Sequence, residues 1–335
     1  MNSANYTLSS FFDTPNTIHN YDAYHVLQSG DLKAVSPGII DLSPLTLISV
    51  TGTEAESFLQ GQLSNDLTEL KPGCCQLHGY CTPKGRALCL IRILRKQNGF
   101  WLLLSEDTST QIIARLKMFK MRAKVEIEIE TQQFAFGLIE DTQSHMDLPG
   151  DASSFTVEGV IPRKIIVTSG NEQTISQLHS QKTLSFLNHD IWRLIDILSG
   201  IPQVYEETME EFIPQMINLD LVSGVSFKKG CYPGQEIIAR LRYLGKLKQR
   251  MLIARVNTDQ RILPGTALFS PTKPDTKSGI VVDAIRISDE EALVTAIVPT
   301  ASFEKGELMV ESIEGPVITR IPTPYEIPAD RKTTQ

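Results

Sequence analysis

The residues with the clearest chemical potential lie in one short stretch, Lys228-Lys229-Gly230-Cys231-Tyr232-Pro233-Gly234-Gln235-Glu236. A cysteine is a nucleophile and a soft metal ligand only as its thiolate. Two lysines precede Cys231, and an apolar-periodic segment (Ile237, Ile238, Leu241) follows it, predicting a helix whose positive end points back towards the sulfur. Both features favour the thiolate, while Glu236 opposes them. Gly230 and Gly234 let backbone or ligand approach closely. Residue types alone leave a second reading open, in which Cys231 is a small side chain filling a turn and both lysines are simply solvated.

Other chemistries find less support. The five cysteines (Cys74, Cys75, Cys81, Cys89, Cys231) are an odd number without a C-x-x-C pair, which suits neither a disulfide framework nor a zinc ribbon. Cys74 to Cys89 cluster around His78, where buried small hydrophobes fit better than metal ligands. His19, His25, His78, His145, His179 and His189 show no metal spacing, no phosphate loop is present, and no bound metal is expected.

The chain has 335 residues, 41% of them hydrophobic, enough for two or three packed modules. A formal charge of −7 argues against nucleic acid as the main partner, so any basic site must be local, and neither a direct nucleic-acid partner nor a membrane is expected. No apolar run approaches the ~20 residues that cross a bilayer. Residues 1–32 carry no Lys or Arg, unlike a signal or transit peptide, and a cytoplasmic location is expected.

Elements must hold the cysteine in place. Residues 1–36 read as a loosely attached extension. Leu45 to Val50 alternates as a strand, and Thr53 with Glu56 forms a capping box opening a helix with Ala55, Phe58, Leu59 and Leu63. Strands follow at Cys75 to Tyr80, Ala87 to Leu94 and Phe100 to Ser105, with turns at Pro83-Lys84-Gly85 and Asn98-Gly99. A helix from about Thr108 to Met121 shows Ile112, Ile113, Leu116 and Phe119 on one face. Val125 to Glu130, Phe134 to Ile139 and Lys164 to Thr168 read as strands, and a polar helix is expected near Glu172 to Gln181. This order suggests a ferredoxin-like middle module. Asp190 to Leu198 is helical and stops at Ser199-Gly200. From about Leu247, short runs broken by Pro, Gly and Asp read as a small all-β barrel or sandwich, and the tail looks disordered.

The string from Lys229 to Glu236 resembles the signature of the YgfZ family, folate-binding-type proteins that support iron–sulfur enzymes. The likeness continues through Ile238-Ala239-Arg240, Gly245-Lys246, Phe212-Ile213-Pro214-Gln215 and Asn218-Leu219. Val50-Thr51-Gly52, Phe58-Leu59-Gln60-Gly61-Gln62 and Asn65-Asp66 are similar to the opening of the wider aminomethyltransferase superfamily, and Pro83-Lys84-Gly85-Arg86 to the turn that follows in YgfZ. The resemblance implies an α+β fold, a three-module aminomethyltransferase/YgfZ-like ring around a folate pocket. Its parts would be a discontinuous folate-binding-type domain (37–98 and 190–246), a ferredoxin-like domain (99–189) and a C-terminal small β-barrel (247–326), with a tail at 327–335.

It implies an accessory protein that binds tetrahydrofolate or a derivative and supports assembly or repair of iron–sulfur clusters in client enzymes, including tRNA-modifying ones. Cys231 would act as transient ligand or redox thiol, with Lys229 and Arg240 supplying positive charge and Gly230 and Gly234 shaping the loop. Lys228, Tyr232, Gln235 and Glu236 complete the signature, and Trp192, Leu45, Lys84 and Arg86 are the folate-contacting candidates. Three departures stand out. No carboxylate lies between Pro83 and Arg92, where aminomethyltransferases carry an acid; Leu198 stands where relatives place a glutamate; and Leu45 stands in place of an aromatic. The first disfavours the alternative, a tetrahydrofolate-dependent one-carbon transferase. A pure binding module without thiol chemistry is the third reading.

Overall fold

The computed structural model describes residues 37–140, 146–171, 174, 177, 185–245, 247–302 and 307–328. The extension over 1–36, most of the tail and most of the helix expected near Glu172 to Gln181 lie outside these residues, as do His19, His25, His145, His179 and Lys246.

The chain divides into two compact units: Met1–Phe58, Leu67–Gln76 and Ile91–Ile195 form one, and Leu59–Asp66, Leu77–Leu90 and Asp196–Gln335 the other. The chain first forms β1 (Gly38–Asp41), β2 (Leu45–Thr51), α1 (Ala55–Gln60), β3 (Cys75–Cys81), β4 (Ala87–Lys96), β5 (Gly99–Ser105), α2 (Glu106–Lys120) and β6 (Glu126–Ile129). It continues through β7 (Gln133–Ile139), β8 (Ser153–Val157), β9 (Arg163–Ser169), β10 (Ser185–Leu187) and α3 (His189–Leu198). One sheet runs β10-β1-β7-β9-β8 and another β3-β4-β5-β2-β6, so the strands of 99–189 divide between two sheets.

The Asn98-Gly99 turn sets the hairpin register, with Lys96 opposite Gly99 and Leu94 opposite Trp101. In α2 the acidic first turn and basic last turn match the helix dipole. Ile112, Ile113 and Leu116 are buried as the spacing predicts. Phe119 is instead 40% exposed, with the Arg115 guanidinium 5.2 Å from its ring centroid; four apolar positions form a wider arc than this helix buries. Helix α1 stops at Gln60, short of Leu63, which bridges to Tyr80 instead. No helix among the described residues is long and apolar enough to cross a membrane.

The second unit adds α4 (Gln235–Tyr243), then β11 (Gln249–Asn257), β12 (Ala267–Ser270), β13 (Lys273–Arg286), β14 (Glu291–Pro299), β15 (Met309–Val310) and β16 (Ile318–Ile321). The last six form one curled half-barrel sheet in the order β15-β12-β13-β14-β11-β16, whose ends meet at the Met309–Val317 bridge. Register shifts between β12 and β13, and at Val281/Asp283, bend it. Strands β11 and β14 are buried on both faces. Leu252, Ala254, Val294 and Ala296 fill one core. Met251 and Ile297 reach another that holds Cys81, Phe212, Leu219, Tyr232 and Ile238. The barrel sheet thereby forms the floor under the signature segment and α4.

Candidate functional site

Lys229 is the anchor of the signature loop. Its ammonium donates to the backbone carbonyls of Gln60 (2.6 Å), Leu63 (2.7 Å) and Asn65 (2.8 Å), so all three protons are used. These carbonyls lie where α1 ends, and the lysine supplies donors that a terminating helix lacks. The same stretch is held by Ser64, which accepts from Gly79 N–H and donates to Gly224 O, and by the Asn65 amide, which donates to Leu77 O and Ser223 O. Burial pushes the Lys229 amine down to about 8, against the attraction of Asp66. The charge expected to face a ligand is thus directed inward, a difference that follows from carbonyls some 160 residues earlier in the chain.

The other end of the loop is fixed by two glycines in left-handed conformations. Gly234 has φ +84° and Gly85 φ +70°, and a Cβ on Gly234 would lie 2.6 Å from Gly85 Cα and from Thr82 O. Only glycine permits this backbone-to-backbone approach. It seats the Pro83-Lys84-Gly85-Arg86 turn against the start of α4. The Gln215 amide donates to Ile238 O (2.6 Å), and Arg86 donates to Glu211 O (2.6 Å). Ala87 pairs through its backbone with Phe212 O and Glu210 N. Four motif segments scattered between residues 60 and 236 therefore converge on one loop within one unit.

Between these anchors, Cys231 is exposed and Gly230 has open space around it. Lys228 is exposed beside it, as are Glu236 and Arg240 on α4. Gln235 begins that helix and donates to Lys229 O. The other thiols differ: burial raises Cys81 to about 12, Cys89 is buried, and Cys74 and Cys75 are half-buried. No group of three or more His, Cys, Asp or Glu side chains among the described residues is placed to hold a metal. Tyr232 is a wall of the core, its ring 5.3 Å from the Lys229 ammonium and its phenol pushed upward mainly by burial.

Sequence reasoning missed His78. It is fully buried, and burial together with the Lys229 charge lowers it to about 3, against Asp66. Its place in a strand next to three cysteines was visible, but its proximity to Lys229 depends on the fold. Ser64 and Asn65 likewise carry the loop's support without any local signal.

The folate-contacting candidates divide between the two units, Leu45 and Trp192 in the first and Lys84 and Arg86 in the second. Trp192 is 1% exposed, with the Arg163 guanidinium 3.8 Å from its ring centroid and Arg92 at 5.5 Å, so it is a core aromatic with two cations near its ring. Arg163 also donates to Trp192 O. Leu45 lines a cavity of about 510 Å³ in the first unit, together with Asp41, Glu106 and Glu130. Lys84 is exposed in the second unit, and Arg86 is half-buried on Glu211.

No family model matches the chain. The tRNA-modifying protein YgfZ of Vibrio vulnificus is 31% identical over 245 residues, covering 70% of this chain and 72% of that protein. The tRNA-modifying protein YgfZ of Colwellia psychrerythraea is 26% identical over 308 residues, covering 87% of this chain and 94% of that one. Among solved structures, the glycine cleavage system aminomethyltransferase T of Bartonella henselae superposes with a TM-score of 0.68 at 15% identity, covering 89% of this chain and 88% of that one. That likeness is one of fold: mixed α and β, mostly sheets.

Proposed function

The chain belongs to the YgfZ family, and from that premise we propose that it is an accessory factor of tRNA modification. In this reading it binds a folate and supports assembly or repair of iron–sulfur clusters in client enzymes through the Cys231 loop. The observation that carries the proposal is the contrast at residues 229 and 231: a buried ammonium bonded three times, then an exposed thiol on an open glycine. Such a loop holds one sulfur at the surface on a fixed backbone. A thiolate so held can ligate iron and pass it to a client thiolate by ligand exchange, without net electron transfer.

The four candidates fit a folate only in part. Trp192 is buried with the Arg163 guanidinium over its ring, and Arg86 is engaged, while Lys84 and Leu45 remain accessible. Folate binding is therefore the least supported part of the proposal. Direct one-carbon transfer has less support still, since the β4 positions after Gly85 that would carry an acid hold buried Ala87, Leu88, Cys89 and Leu90. On modules, the curled sheet supports a C-terminal β-barrel domain over 247–326, whereas the division of strands between two sheets gives the ferredoxin-like reading of 99–189 less support.

The test is complementation of a strain lacking the chromosomal copy. Wild-type protein should restore the cluster-dependent tRNA modification measured by nucleoside mass spectrometry, and Cys231→Ser should not. Full restoration by Cys231→Ser would leave a binding module without thiol chemistry. Calorimetry with tetrahydrofolate tests the folate part separately, and no heat of binding would remove it.

A further inference from the structure

The segment from Phe227 to Lys248 holds a surface that the thiol chemistry does not use. Helix α4 fully buries one side chain, Ile238, half-buries Gln235, Ala239 and Leu241, and exposes Glu236, Ile237, Arg240, Arg242 and Tyr243. Between residues 221 and 258, Glu236 is the only acidic residue, against eight basic ones. Three of these are occupied: Lys229 on its carbonyls, Arg250 on Asp220, and Arg255 on Glu291. Lys246 lies outside the described residues. The remaining four, Lys228, Arg240, Arg242 and Lys248, are exposed, and none makes a salt bridge among the described residues. In a chain of net charge −7 this is a local concentration of unneutralised cation.

Aromatic groups are set among these charges. The Arg242 guanidinium lies 5.2 Å from the Phe227 ring centroid, and the Phe227 and Tyr243 rings meet edge to face at 6.4 Å. Tyr243 is nonetheless 65% exposed. An exposed phenol ring beside a stacked guanidinium, in a segment rich in exposed cations, matches the chemistry of unpaired nucleotides: bases stack on the ring and the guanidinium plane, and phosphates meet the lysines and arginines. An acidic protein would use the charges but gain little from the ring and guanidinium arranged together.

We infer that this surface, formed by Phe227, Lys228, Arg240, Arg242, Tyr243 and Lys248, binds single-stranded RNA such as a tRNA loop. The inference rests on the proposed role in tRNA modification and deepens it, since it brings the RNA next to the Cys231 loop. It departs from the expectation of no direct nucleic-acid partner, which rested on net charge, because the basic site is local.

The experiment is fluorescence anisotropy of the full-length protein with labelled tRNA transcript and with a short single-stranded oligoribonucleotide. Binding should weaken progressively from about 50 to 200 mM salt. Arg240→Glu with Arg242→Glu should weaken it at least tenfold and lower the salt slope by about two, one for each lost phosphate contact. Tyr243→Ala should weaken the oligonucleotide by roughly tenfold with the slope unchanged. Circular dichroism confirms that the variants fold, and Arg242→Gln serves as a milder second variant. Binding to neither RNA at low salt, or RNA binding indifferent to all of these substitutions, would overturn the inference. So would equal binding of poly-glutamate with no effect of Tyr243→Ala, which would mark an acidic-protein surface instead. Cys231→Ser should bind RNA as wild type does. Loss of the Cys231 requirement with RNA binding intact would therefore sink the functional proposal alone, and the converse would sink only this one.

Discussion

Lys228 and Lys229 are adjacent in the signature, yet they should respond very differently to the same substitution. Lys229→Met keeps most of the aliphatic stem and removes the ammonium, leaving the carbonyls of Gln60, Leu63 and Asn65 without their donor. A buried acceptor left unpaired costs ~1–3 kcal/mol, so the two buried carbonyls, of Leu63 and Asn65, would together cost at least ~2 kcal/mol, with the part-buried Gln60 carbonyl adding less. Relief from burying a charge offsets part of this, and the net destabilisation should be ~2–4 kcal/mol. Lys228→Met, at an exposed position without a partner, should stay within about 0.5 kcal/mol of wild type. Urea unfolding followed by far-UV circular dichroism measures both. Hydrogen exchange should also show faster amides over 59–66 and 228–235 in Lys229→Met alone, because the lost bonds join those two segments. Equal stability of the two variants would refute the anchoring argument.

Gly234→Ala should abolish complementation although Cys231 is untouched, since its Cβ would come within 2.6 Å of Gly85 Cα; a side chain at left-handed φ alone costs ~1–2 kcal/mol, and normal client support would contradict the reasoning. His78 should make the protein acid-sensitive. It is neutral in the fold down to about 3 but protonates near 6.5 when unfolded, so stability present above pH 6.5 falls as pH drops, by ~5 kcal/mol at most and ~3 kcal/mol by pH 4. The midpoint of urea unfolding measured between pH 7 and pH 4 checks this, with His78→Leu showing a flatter profile. Arg250→Ala should cost ~3–5 kcal/mol by leaving the Asp220 carboxylate buried without its bidentate partner, whereas Arg250→Met with Asp220→Leu should recover most of that in thermal unfolding.

The signals legible in the sequence were local ones. Alternation in Leu45 to Val50, the Asn98-Gly99 turn and the apolar run after Gln235 each encode an element by themselves, and each element is present. The strands β1, β8 and β10 were not legible: they are three to five residues long and partly polar, and neighbours from distant parts of the chain decide their pairing. The first residues of β13, Lys-Pro-Asp-Thr-Lys-Ser, read as a loop and are exposed even as a strand. At the site, the signature marked the right loop, but which lysine faces inward depends on carbonyls placed by the fold. Trp192 was legible as a candidate folate contact, whereas its core position and the two arginines near its ring carry no nearby cue in the sequence.

The anchor between Lys229 and Gln60 closes a loop of 169 residues. Contacts that distant form late, because chain-closure entropy must be overcome before they can stabilise anything. The signature loop is therefore expected to acquire its fixed backbone late in folding. A nascent or partly unfolded chain would carry the same cysteine without the presentation, so reactivity at the surface sulfur is coupled to completion of the native topology.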